Sequence, residues 1–194
     1  MNELEKAKNG EFYNPNYDED LILKRTRMQD LCFTYNNLLP SMIEERKDLI
    51  KEIINTCDSN FLLEQPIHID YGENVKIGKN FYSNYNLTIL DGVSVTFGDN
   101  CFIGPNCSFY TAIHPLDYNL RNQGLEKAKP ITVGDNCWFG GGVTVLPGVT
   151  IGSNCVIGAG SVVTKNVPDN VVVAGNPAKI IKSIEEGIKV ENKI

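Results

Sequence analysis

The chain contains two histidines, His68 and His114. Imidazole is the side chain whose ordinary pKa lies nearest neutrality, so a neutral histidine can take a proton from an attacking hydroxyl at working pH. His114 lies within the run Tyr110-Thr111-Ala112-Ile113-His114-Pro115-Leu116-Asp117. No motif surrounds His68, which reads as structural. A lone loop histidine reads equally as a residue making one ordinary hydrogen bond, and spacing alone leaves both readings open. Zinc chemistry is a poor fit. An open zinc site of the hydratase type takes three histidines, and the two here stand in unrelated contexts. The six cysteines, Cys32, Cys57, Cys101, Cys107, Cys137 and Cys155, form no C-x-x-C pair. They read as buried thiols in a reducing compartment.

Side chains of this kind need a frame. The 194 residues suffice for one domain with a core, and a charged fraction of 22% is ordinary for a globular protein. The net charge of −6 argues against a nucleic-acid face, which needs clustered Lys and Arg. No apolar run reaches membrane-spanning length, and residues 1–10 lack the apolar centre of a secretory signal; a cytoplasmic protein without a membrane partner is expected. Asp18 to Asn37 fits an amphipathic helix. Ser41-x-x-Glu44 predicts a capping box opening a second helix that runs to about Cys57. Together they suggest an N-terminal helical segment over 1–59.

From about residue 60 the texture becomes periodic. Apolar residues, usually followed by Gly, start hexads at Tyr71, Ile77, Phe97 and Ile103, then without a slip at Val133, Phe139, Val145, Ile151, Ile157 and Val163. Four residues after each of the last six comes another small or apolar residue: Cys137, Val143, Val149, Cys155, Ser161 and Val167. Such a repeat reads as a parallel β-helix, in which six residues make one short strand and one bend. Stacked coils then bury a core that one coil could not. A two-residue slip falls around Leu90-Asp91-Gly92. Residues 111–130 keep the phase but lose the pattern and read as an extended loop thrown out of the coil, the usual place for function. The helix is expected over 60–175, with a tail over 176–194.

These hexads resemble the left-handed β-helix acyltransferases, and the hand comes from that resemblance. The run Thr111-Ala112-x-His114-Pro115, then Arg121, Gly124 and Lys129-Pro130-Ile131-Thr132-Val133-Gly134, is similar to the maltose and galactoside O-acetyltransferases. The resemblance implies that acetyl-CoA is the co-substrate and His114 the general base. Asn80-Phe81-Tyr82-Ser83-Asn84-Tyr85-Asn86 matches the family's acceptor run, which implies contacts from Tyr82 and Asn84. Asp70 and Asp91 stand at further acceptor positions, and Asn14 at an N-terminal one. Some relatives carry a second acidic residue where this chain has Gly92. On the donor side the resemblance points to Trp138, Gly141, Ala159, Thr164 and Lys165, with Gly141 offering an amide to the oxyanion. Lys179 and Lys182 would attract CoA phosphates, although relatives often use Arg, whose fork is bidentate. It also implies a homotrimer with sites between subunits, and chemistry that requires no metal because the thioester is already activated.

Other readings share this fold: transfer to an antibiotic hydroxyl, a serine or an amine, or a non-catalytic scaffold. The His-Pro loop and the N-terminal helices favour the sugar-type enzyme. A scaffold has no need of that loop, and an ice-binding face would show Thr-x-Thr rows.

Overall fold

The computed structural model describes residues 1–54 and 60–184; Cys57 and the end of the tail lie outside them. Among the described residues, three helices precede the coils. α1 (Glu3–Lys8) opens on a capping box, in which Asn2 Oδ1 accepts from the Glu5 amide and Glu5 returns a carboxylate oxygen to the Asn2 amide. The sequence reading did not expect this helix, because a six-residue polar segment carries no periodic stripe. α2 (Glu19–Asn36) is capped by Asp18 and buries Leu21, Met28, Cys32 and Tyr35 along one face. α3 (Ile43–Ile53) differs from expectation at its start. Met42 occupies the cap position with no side-chain cap bond, so the Ser41–Glu44 box does not form. Arg46, Ile50 and Ile53 face inward on it, and Arg46 donates to the carbonyls of Pro40 and Leu63 and pairs with Glu64 at 3.1 Å.

The chain then winds into a three-faced parallel β-helix. The first coil lays down β1 (Phe61–Leu63), β2 (Ile67–Ile69) and β3 (Val75–Lys76). The second adds β4 (Phe81–Ser83), β5 (Leu87–Leu90) and β6 (Val95–Phe97). The third begins with β7 (Phe102–Ile103) and β8 (Ser108–Tyr110), leaves the stack through β9 (Ala112–Ile113), α4 (Tyr118–Arg121) and β10 (Lys127–Ala128), and returns with β11 (Ile131–Val133). There follow β12 (Trp138–Phe139), β13 (Thr144–Val145), β14 (Thr150–Ile151), β15 (Val156–Ile157), β16 (Val162–Val163) and β17 (Val171–Gly175). Face one is β1-β4-β7-β12-β15-β17, face two β2-β5-β8-β13-β16 and face three β3-β6-β11-β14, each in parallel register. Residues 176–184 are more than a tail: β18 (Ala178–Ser183) turns back and pairs antiparallel with β17.

The repeat is eighteen residues where the hexads run clean, as in Val133 on Ile151. It is twenty in the first coils, where Phe61 stacks on Phe81 and Ile67 on Leu87. It becomes thirty-six where the excursion is inserted, as in Phe109 on Val145. Every surplus residue leaves at one corner, between faces two and three.

The hexad positions do what the period requires. Val133, Phe139, Val145, Ile151, Ile157 and Val163 are buried on the axis, and so are Cys137, Val143, Val149, Cys155 and Ser161. Phe81, Phe97, Phe109 and Phe139 form a continuous edge-to-face file with centroids 5.1, 4.8 and 5.5 Å apart. Tyr71 departs from the reading. It joins a separate cluster with Ala7, Tyr13, Leu21, Val93 and Ala128, outside the coil. The glycine after the apolar residue answers to close approach: a Cβ at Gly78 would lie 2.5 Å from the Asp99 carboxylate of the coil above. That aspartate accepts from the Lys79 amide, and Asp135 does the same for Asp99 one coil later. The next residue, Asn, takes positive φ at 80, 100, 136, 154 and 170, as Asn tolerates better than most side chains. Its amides stack from coil to coil, Asn80 onto Asn100 and Asn100 onto Asn136. The cysteine that follows points inward, and its thiol reaches a backbone carbonyl, as Cys101 reaches Gly134 and Cys137 reaches Gly152.

Candidate functional site

The excursion over 111–130 has a stem. Ala112 and Ile113 pair with Ala128 and Lys127, and Thr111 accepts from the Lys129 amide, so both ends meet at the coil. At its tip Asp117 caps α4, and Arg121 donates to the carbonyls of Pro115 and Leu116. Those bonds fix the turn just after His114. The imidazole is about half exposed, at 51%. Its Nδ1 lies 3.3 Å from the Leu125 carbonyl. Its Nε2 lies 3.7 Å from Oε2 of Glu126. The other oxygen of Glu126 accepts a hydrogen bond from the Tyr13 phenol. Burial, and then the Glu126 carboxylate, hold that phenol far above its ordinary pKa, so it stays a donor.

Tyr13 comes from the N-terminal segment, which is sewn to the stem. The Tyr13 amide donates to the Glu126 carbonyl at 2.9 Å, and the Glu126 amide returns a bond at 3.0 Å. Asn14 donates its side-chain amide to the Gln123 carbonyl, and Lys127 sits 4.3 Å over the Phe12 ring. Asn14 thus ties down the excursion. Asp70 lies at the foot of the same corner, beside His68 in a pocket of about 290 Å³. Burial pushes its carboxyl above the usual range, Arg25 opposes that, and Glu126 pushes the same way as burial.

Asp91 has a different task from the one the resemblance implies. It is 0% exposed, and its Oδ1 accepts from the amides of Asp70 and Tyr71 at 3.1 and 2.9 Å. It has no surface to offer an acceptor; it holds the turn that carries Asp70. Burial pushes its carboxyl up to about 7.

The remaining candidates fall on the two edges of face two and on face one. The corner between faces two and three carries Asp70, Asp91, the stem of His114, and Thr164 with Lys165 just after β16. The corner between faces one and two carries Asn84, Gly141 and Ala159. A Cβ on Gly104 would meet the Gly141 amide at 2.7 Å, and one on Gly140 would meet the Ala159 amide at 2.6 Å, so these turns stack closely. Tyr82, Asn84, Trp138 and Gly141 line one groove of about 480 Å³, together with Phe102. Tyr82, Phe102 and Trp138 stack in register down face one, the last two 49% and 57% exposed. At the top of that face Lys182 pairs with Val172 and Lys179 with Ala174. A single chain therefore places Asn84, Gly141 and Ala159 on the edge opposite His114, and Thr164 with Lys165 on the His114 edge, with His114 outside the groove's lining.

The sequence reading missed Glu126 and Tyr13. A signal existed: Glu126 is the only acidic residue between Asp117 and Asp135. Its partner lies 113 positions upstream, which no local pattern reports.

Comparison with known proteins agrees with this architecture. The maltose acetyltransferase hexapeptide capping motif matches residues 6–58, the bacterial transferase hexapeptide (six repeats) residues 130–165, and the hexapeptide repeat of succinyl-transferase residues 92–113. A putative acetyltransferase of Saccharomyces cerevisiae is 50% identical over 186 residues, covering 96% of this chain and 95% of that one. The crystal structure of a maltose O-acetyltransferase from Clostridium difficile 630 superimposes with a TM-score of 0.93 at 45% identity, covering 96% and 99% of the two chains. A galactoside acetyltransferase in complex with coenzyme A follows at 0.92 and 44%, covering 96% and 92%.

Proposed function

The chain belongs to the maltose and galactoside O-acetyltransferase family of hexapeptide-repeat acetyltransferases, and on that premise we propose that it moves an acetyl group from acetyl-CoA to a hydroxyl of a sugar or similar small molecule, with His114 as general base. One observation carries the assignment of the base. His114 is half exposed at a braced turn, with Nδ1 facing a carbonyl and Nε2 facing a carboxylate.

The chemistry follows from that arrangement. With its proton on Nδ1 and directed at the Leu125 carbonyl, the ring keeps the Nε2 lone pair free. Nε2 takes the acceptor's hydroxyl proton as the oxygen attacks the thioester carbonyl. The tetrahedral oxyanion receives the Gly141 amide, and the CoA thiolate leaves, regaining a proton from the imidazolium. The Glu126 carboxylate stabilises the positive imidazolium while it exists. It is a positioning residue, since it acts through His114. The groove of Tyr82, Asn84 and Trp138 takes acceptor and pantetheine. Asp70 adds an acceptor contact, and Ala159, Thr164, Lys165, Lys179 and Lys182 hold the rest of CoA, the lysines at its phosphates.

The two edges of face two support a site shared between copies of the chain. A homotrimer with face two turned toward a three-fold axis brings the His114 edge of one copy against the Gly141 edge of the next. The outward residues of face two, including Thr88, Ser108 and Thr144, are small enough for that approach.

The test is CoA release, followed with a thiol-reactive dye across sugars, other alcohols and amines. Acceptor-dependent release is expected, and His114→Ala should lower turnover by roughly 100- to 10,000-fold while leaving acetyl-CoA binding intact. Wild-type turnover in that variant would refute the base; release with amines alone would refute the hydroxyl acceptor.

A further inference from the structure

We infer that Tyr13, with Gly92 beneath it, is a positioning residue for this reaction: its phenol locks Glu126 in the rotamer that faces His114. The inference rests on the proposed role of His114. A carboxylate at a loop stem has several rotamers, and facing an imidazole from 3.7 Å selects one of them. Two elements make the selection. The paired backbones of Tyr13 and Glu126 set their Cα atoms side by side. The phenol then takes Oε1, which leaves Oε2 as the oxygen directed at Nε2. Tyr13 cannot wander, because it is 1% exposed among Ala7, Leu21, Tyr71, Val93 and Ala128. The N-terminal segment therefore reaches the reacting centre through one hydroxyl group rather than only by covering it.

Gly92 supplies the room. A Cβ built there would lie 2.7 Å from the Tyr13 hydroxyl, whereas its next neighbours, Thr111 Oγ1 and the Ala128 Cβ, would sit at 3.5 and 3.7 Å. The hydroxyl is thus the one close obstacle to a side chain at position 92. This gives Gly92 a reason that its backbone conformation does not provide: it admits the phenol.

The geometry dictates a pair of double-mutant cycles on the full-length enzyme. Tyr13→Phe keeps the ring and should lower kcat by about 10- to 100-fold, the size of one hydrogen bond to a charged group, with the KM for acetyl-CoA unchanged. Glu126→Gln should show a similar loss, and the double variant should be no worse than either alone. Gly92→Ala should lower kcat in the wild type and do nothing in the Tyr13→Phe background, where the obstructing oxygen is gone. A role in stability alone would instead lower the melting temperature and leave kcat of the folded fraction in place. Losses that multiply, or a Gly92→Ala effect that persists without the hydroxyl, overturn the inference while His114→Ala stays inactive. A His114→Ala enzyme with full turnover overturns the underlying reading, and this inference with it.

Discussion

At the scale of single residues, the chain separates what a sequence advertises from what a fold assigns. His114 is legible because imidazole beside proline in a broken repeat is conspicuous. Asp91 is equally visible in its motif, yet its task follows only from its burial and from the two amides it holds. The bond between Glu126 and Tyr13 was illegible because it joins the N-terminal segment to the third coil. Asp91 also carries a prediction. Its folded pKa is raised, from 3.8 to about 7, so the native state binds that proton more tightly than the unfolded chain does. The associated stability is present below pH 3.8 and is lost as pH rises to about 7. Asp91→Asn keeps an oxygen for the two amides but cannot titrate. Denaturant unfolding should therefore show wild type losing ground to the variant across that window, by about 1.4 kcal/mol per pH unit at most, and levelling off above it. A constant difference between the two proteins would reject the assignment.

At the scale of elements, the hexad pattern told nearly all of the β-helix, because one position in six must face the axis and one must yield to the coil above. Coil length was less legible. Twenty- and eighteen-residue turns stack equally well when the surplus leaves at one corner. The Ser41–Glu44 capping box failed because Met42 takes the cap position instead, and α1 went unseen because its signal is a cap and not a stripe. The tail was read as leaving the repeat, which it does, but six of its residues return as β18. The asparagine column makes a testable element. Asn100 sits at a φ of 55°, accepts from Asn80 at 2.8 Å and donates to Asn136 at 3.1 Å. Asn100→Ala should cost about 2–3 kcal/mol, combining left-handed strain of about 1–2 kcal/mol with two weak exposed bonds. Asn100→Gly loses the bonds without the strain and should cost less, as urea midpoints would report. A glycine variant no more stable than the alanine one would assign the whole cost to the amide ladder.

At the scale of the whole molecule, the division of the proposed site between two edges of one face predicts complementation. His114→Ala and Asn84→Ala each disable a different edge. Mixed by co-expression, they should regain up to about a quarter of wild-type turnover, because random trimers restore that fraction of intact site pairs. Recovery no greater than the two separate residual activities would place the whole site within one chain. A separate consequence follows from how the stack begins and ends. A parallel coil is a template at both ends, where unpaired amides and carbonyls invite another strand and propagation into a filament. Here α2 and α3 plug the first end with Met28, Cys32, Tyr35, Ile50 and Ile53. At the last, β18 reverses direction and covers the edge of face one with alternative chain polarity. The reversal is a stop codon written in hydrogen bonds for face one: an antiparallel strand at that edge presents the wrong polarity to a further parallel rung.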